Sequence, residues 1–390
     1  MKYNFDELIP RENTDSYKYK LLTDICGRTD VIPMWVADMD FRTPPFIFET
    51  IQKRLQQGIL GYTCPSDAYY QAICAWNKKQ YDMDVQPEMV NYIGGVVQGI
   101  YLAMQCFTEK GDKIMIQQPV YHPFRLVPEA NERVVVMNEL TRTADSYAMD
   151  FDKIREDIKG CKMMILCNPH NPGGVCWSKE ILQELAHICA EEHVLVVSDE
   201  IHCDMLLKEG KHIQFASVSD EARNNSITLQ APTKTFNLPG IVAAQAIVYN
   251  EELRTKFFDY IHGSDADLGN ILAFDCVRAC YSSEGEEWKA QMLAYVQENI
   301  NLLIDRLAAE CPKISAIRPE ASFLVFLDCR ALNLTQPELI RFFADKAHLC
   351  LNSGDMFGPA GTGYMRMNVA VPHSVMNKAI DQLVAAANAL

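Results

Sequence analysis

Between residues 90 and 250, short unbroken apolar runs alternate with stretches of helical character. No other feature narrows the fold as much. The runs are Asn91-Tyr92-Ile93, Ile114 to Ile116, Val134 to Met137, Met163 to Cys167, Val194 to Val197, Ile227 to Leu229 and Ala244 to Val248. Between two of them, Ser178 to Glu191 puts Ile181, Leu182, Leu185 and Ile188 on one helical face, with Ser178 as a cap. Continuous apolar strands separated by amphipathic helices predict an α/β fold: a mostly parallel, seven-stranded sheet covered on both faces.

In such sheets ligands sit beyond the carboxyl ends of the strands. The residues after four of the runs are polar or reactive. They are Gln118 to Pro123, with Tyr121; Asn168 to Gly174, with Asn171; Ser198-Asp199-Glu200-Ile201-His202; and Pro232-Thr233-Lys234-Thr235-Phe236-Asn237. Most lysines are solvated surface charges. One held at a strand end and stripped of water can lose its proton and attack an aldehyde. Gly94-Gly95-Val96-Val97-Gln98-Gly99 opens a helix to about Phe107. Glycines there let the backbone approach a ligand, and the free N–H groups of a helix start suit a phosphate. The stretch matches neither a P-loop nor a dinucleotide fingerprint.

The flanks read differently. Residues 1–45 look irregular and contain Met34-Trp35-Val36-Ala37-Asp38-Met39-Asp40-Phe41, followed by Thr43-Pro44-Pro45. Helices are predicted from Phe46 to Gln57, Ser66 to Lys79 and Glu286 to Cys311, and near the C-terminus. Strands are predicted at Phe323 to Leu327 and at Met365 to Val369, which contains Arg366. A chain of 390 residues exceeds one simple core. We divide it into a large domain, 46–285, and a small α+β domain built from 1–45 and 286–390. The net charge of -15 argues against nucleic acid and anionic membranes. No apolar run is long enough to span a bilayer, and the first residues do not read as a signal peptide. Fourteen scattered cysteines, with Cys276 and Cys280 at helical spacing, read as reduced thiols of a cytoplasmic protein. No metal site is expected.

The ordered set Asn171-Pro172-x-Gly174, Asp199 to His202 and Thr233 to Asn237, closed by Arg366, resembles the fold-type I pyridoxal 5'-phosphate (PLP) enzymes of the aminotransferase class I/II superfamily. The resemblance covers nearly the whole chain. The Met34 to Phe41 stretch and His202 look like the branch of cystathionine β-lyases and cysteine-S-conjugate C–S lyases. The resemblance implies a catalytic Lys234 that carries PLP covalently. Asp199 would pair with the pyridine nitrogen, Asn171 would bond the ring hydroxyl oxygen, and Tyr121 would stack on the ring. Gly95, Val96, Val97 and Thr233 would hold the phosphate, and Tyr62 would reach the phosphate of a neighbouring subunit in a homodimer with shared sites. Arg366 would bind the substrate α-carboxylate, with Ala37, Tyr121 and Asn171 beside it. His202 reads equally as a structural histidine near the cofactor or as a catalytic one. The sequence departs from many aminotransferases in having no arginine within ten residues after Lys234.

These roles imply a lyase acting on L-cystathionine or related L-cysteine S-conjugates, giving pyruvate, ammonia and a thiol. An aminotransferase would use the same lysine, aspartate and arginine, and only the Trp35 stretch and His202 separate the two. A regulatory protein on the same fold is a third reading, but no stretch looks like a dedicated partner tail or a nucleic-acid module.

Overall fold

The computed structural model describes residues 2–390. All seven apolar runs form strands of one sheet: β1 (Val90–Ile93), β2 (Lys113–Gln118), β3 (Val134–Glu139), β4 (Cys161–Cys167), β5 (Leu195–Asp199), β6 (Ser226–Gln230) and β7 (Ala244–Ile247). Their spatial order is β1-β7-β6-β5-β4-β2-β3, and only β7 pairs antiparallel to its neighbours. Successive side chains on a strand face opposite sides. Met163 and Ile165 accordingly join one buried cluster, while Met164 and Leu166 join another on the far face. Two covered faces explain why these strands are continuously apolar rather than alternating.

The helix Lys179–Glu191 starts where Ser178 Oγ accepts the Ile181 N–H at 3.4 Å. Helix α1 (Val96–Phe107) lies against the sheet through Gly99. A Cβ built there would stand 2.5 Å from Ile93 Cδ1 and about 3 Å from Leu229 Cδ2. Glycine is therefore what lets α1 approach the sheet closely, and this approach places the helix start.

A second sheet, antiparallel, comprises β8 (Ser315–Ile317), β9 (Leu324–Asp328), β10 (Asn352–Ser353) and β11 (Tyr364–Asn368), in the order β8-β9-β11-β10. Helices α2 (Ser283–Glu310) and α3 (His373–Asn388) accompany it. Helix α2 begins at Ser283 rather than Glu286, capped by Ser282, so it crosses the expected 285/286 boundary. The largest apolar cluster also joins both parts, from Tyr69 and Phe274 through Trp288 to Phe323 and Met376.

The expectation of an irregular first 45 residues needs correction. Tyr17–Lys20 and Leu22–Cys26 are helical turns, and Ile32–Pro33 pairs in parallel with Leu349–Cys350. Elements of two to five residues are too short to show a period, which is also why β8 and β10 escaped notice. Cys276 and Cys280 are buried in a helix, and all fourteen cysteines are free. Among the described residues, no helix is long and apolar enough to cross a membrane, and no cluster of His, Cys, Asp or Glu could hold a metal.

Replacing Gly99 by Ala tests how α1 is seated. Alanine adds up to about 1 kcal/mol of helix propensity, but overpacking costs about 1–3 kcal/mol. Chemical denaturation should show a net loss of stability; a gain would mean that the contact with Ile93 and Leu229 relaxes freely.

Candidate active site

Lys234, Asp199, Asn171, Tyr121 and Arg366 line one cavity of about 490 Å³, together with Ala37, Gly95, Val96, Val97, His202 and Thr233. The sheet supplies most of this wall. Asp199 ends β5, Asn171 follows β4, Tyr121 follows β2, and Lys234 follows β6 through a tight turn in which the Phe236 N–H bonds the Pro232 carbonyl at 3.0 Å. Arg366 enters from β11 of the other sheet. The cavity is the space between the carboxyl edge of the large sheet and the small one.

The charges along this wall have little water around them. Burial, with Arg366 nearby, lowers the Lys234 amine to about 8, against the pull of Asp38 and Asp199. Lys234 Nζ donates to the Ala37 carbonyl at 2.8 Å. Burial raises Asp199 to about 7, and adjacent Glu200 adds to this. The Ile201 N–H, at 3.0 Å from Oδ1, and the charge of Lys234 oppose it. Burial lowers Arg366 to about 10. Its guanidinium donates to Asn171 Oδ1 at 3.1 Å, to the Trp35 carbonyl at 3.1 Å and to Asn352 Oδ1 at 2.5 Å, and lies 4.9 Å from the Phe357 ring centroid. Burial also raises the Tyr121 phenol. His202 is lowered to about 3 by burial and by Lys234 and Arg366, so its ring is uncharged at working pH.

These groups fit PLP. The first bond inside α1 runs from the Gly99 N–H to the Gly95 carbonyl at 2.9 Å, so the N–H groups of Val96, Val97 and Gln98 are available to an anion. A Cβ at Gly95 would meet nothing within 4 Å, which leaves open space beside this helix start. Asp199 is a buried carboxylate suited to a cationic ring nitrogen, and Lys234 is an amine suited to an aldehyde. Buried His202 Nδ1 has no hydrogen-bond partner among the described residues.

The family model described as aminotransferase class I and II matches residues 29–383. The chain belongs to this family. It is 38% identical to the cystathionine beta-lyase PatB of Bacillus subtilis (strain 168), over 98% of this chain and 99% of that protein. Among solved structures it is similar to the PLP-bound putative aminotransferase from Clostridium difficile 630, with a TM-score of 0.96 and 37% identity, covering 99% of this chain and 100% of that one. It is also similar to the PLP-bound C-S lyase from Staphylococcus hominis, with a TM-score of 0.92 and 32% identity, covering 99% and 98% of the two chains.

Of the residues singled out in this class I and II aminotransferase-family sequence, Tyr62 alone does not line the cavity; it is 94% exposed, in a stretch without regular structure. Asn171 spends its Oδ1 on Arg366, which leaves its Nδ2 available as a donor. Sequence reasoning missed Asn352, which orients Arg366 from a two-residue strand, and Cys167, which ends β4 at the cavity wall. Asn352 carried no signal in the sequence, because its partner lies fourteen residues away on a neighbouring strand.

The setting of Lys234 predicts its reactivity. Only the neutral amine is nucleophilic, so labelling of Lys234 in PLP-free protein by an amine reagent should increase as pH rises through about 8. Mass spectrometry of the labelled peptide reads the midpoint. A midpoint near 10, that of an ordinary lysine, would contradict the desolvated setting.

Proposed function

We propose that this chain is a PLP-dependent carbon–sulfur β-lyase that converts L-cystathionine or related L-cysteine S-conjugates, with one water, to pyruvate, ammonia and a thiol. The observation that carries this reading is the way one chain segment faces both charged groups an amino-acid substrate needs. The carbonyls of Trp35 and Ala37, two residues apart, accept from Arg366 and Lys234 respectively. A carboxylate anchor and a proton acceptor thus stand on the same wall. The full-length likeness to a cystathionine beta-lyase supports the choice of reaction.

PLP is the cofactor; when bound, it supplies an electron-accepting ring that stabilises negative charge at the substrate Cα. Val96, Val97, Gln98 and Thr233 would hold its phosphate, and Asp199 would pair with its ring nitrogen. Pairing with that cation draws Asp199 back toward its ionised form. Tyr121 would cover the ring, and Asn171 Nδ2 would donate to the ring oxygen. Arg366, oriented by Asn171, Asn352 and the Trp35 carbonyl, binds the substrate carboxylate and fixes its Cα. Lys234, with an amine near 8, takes the Cα proton and holds it at Nζ. Uncharged His202 brings no net charge to the cavity. A second chamber of about 740 Å³ meets the first at Ala37, Lys234 and Pro239, and offers room for the sulfur substituent.

Lys234→Ala should retain the fold and lose turnover by at least about 10³-fold, as expected when a catalytic group is removed. Adding L-cystathionine to wild type should release stoichiometric pyruvate, while persisting release by the variant would remove Lys234 from its role. Keto-acid-dependent amino transfer without pyruvate would instead make the protein an aminotransferase.

The sites are shared in a homodimer. Exposed Ile59, Leu60 and Tyr62, at 76%, 73% and 94%, form an apolar tip that a second copy would cover. Light scattering should give twice the chain mass of 44.2 kDa. Tyr62→Phe should weaken PLP retention at unchanged mass; a monomer that retains PLP would refute sharing. Fourteen free cysteines support a reducing, cytoplasmic setting.

A further inference from the structure

The segment 34–41 has little regular structure, yet its backbone is held at nearly every residue. Asn368 Nδ2 donates to the carbonyls of Val36 at 2.8 Å and Asp38 at 2.6 Å, on either side of Ala37. Asn237 grips the next stretch. Its Oδ1 accepts the Met39 N–H at 2.9 Å, and its Nδ2 donates to the carbonyls of Met39 at 3.0 Å and Phe41 at 2.7 Å. Each asparagine follows a working cation closely in sequence, Asn237 three residues after Lys234 and Asn368 two after Arg366. The side-chain charges of the segment are held separately, Asp38 and Asp40 by Arg11 and by buried Lys18.

We propose that Asn237 and Asn368 are positioning residues that set the register of segment 34–41, so that the Ala37 carbonyl holds the Lys234 amine in its working orientation. This rests on the reading of Lys234 as the proton-transferring group. An amine with one N–H committed to a carbonyl has its remaining directions defined; an amine without it rotates freely about its last bond. A carboxamide suits the task because it offers a donor and an acceptor together, as a backbone peptide does. Asn237 also has φ +53°, in the left-handed region that asparagine tolerates, so its backbone and side chain serve one local geometry.

The test uses Asn237→Gly, which removes the amide but keeps the left-handed backbone unstrained. The groups facing Lys234 are Arg366 and Asp199 from the strands, His202 from the turn after β5 and Asp38 from the segment itself. Releasing the segment lets water reach an amine whose pKa is lowered chiefly by burial, which outweighs the loss of the Ala37 carbonyl, while Arg11 and Lys18 still hold Asp38. The net change raises the Lys234 pKa toward the ordinary lysine value. In PLP-free protein the labelling midpoint should therefore move to higher pH. In the PLP-loaded enzyme kcat should fall tenfold or more, with KM within about twofold, the pattern of a misplaced reacting group.

Asn368→Ala should give the same pair of changes, and carries the test if Asn237→Gly does not fold. Arg42→Gln, which breaks only the contact with Glu7, should leave the midpoint at the wild-type value. An unmoved midpoint in the asparagine variants would overturn the proposal, even with reduced kcat, because that would mark a general structural role. A shifted midpoint in Arg42→Gln would overturn it as well. The labelling readout needs neither cofactor nor turnover. A shifted midpoint in a protein without lyase activity would thus uphold the clamp and reject the assigned reaction.

Discussion

An amine that can lose its proton near physiological pH requires a protein to take it out of water and set another cation beside it. Here that constraint falls on Lys234, whose pKa drops from 10.5 to about 8 through burial and the charge of Arg366. A shift of that size corresponds to destabilising the charged form by about 3 kcal/mol. The surrounding structure has to sustain this. The parallel sheet brings four strand ends to one rim, the small sheet closes the rim with Arg366, and segment 34–41 lies across the opening. The opposing charges of Asp38 and Asp199 keep the shift moderate, so the amine can both lose and regain a proton.

The same desolvation sorts the other groups by role. Asp199 and Arg366 are both pushed toward their neutral forms by burial, which primes each to bind an opposite charge. His202 has no such charge partner and stays uncharged. The start of α1 offers backbone N–H groups, which bring partial charge without the burial cost of another cation.

Much of this was legible in the residues. Continuous apolar runs mark strands buried on both faces, because each residue must satisfy one face or the other, and all seven lie in the sheet. The rule that ligands sit beyond the carboxyl ends then picked out Tyr121, Asn171, Asp199 and Lys234 before any geometry was known. The short elements were not legible. A strand such as Asn352–Ser353 or a turn such as Leu22–Cys26 is shorter than the period that would reveal it. Asn237 and Asn368 stood in view beside residues of interest, but nothing local says that an asparagine will grip a segment some 200 or 330 residues away.

The sequence by itself determined the strands, the helices that cover them and the chemical identity of the reactive groups, since these follow from the order of apolar and polar residues over short distances. Only the tertiary structure decided which of those groups share a cavity, how far burial moves their protons, and that the Trp35 and Ala37 carbonyls meet Arg366 and Lys234. Such facts depend on contacts between distant segments and on the exclusion of water, and both arise only when the two sheets and segment 34–41 close on one another.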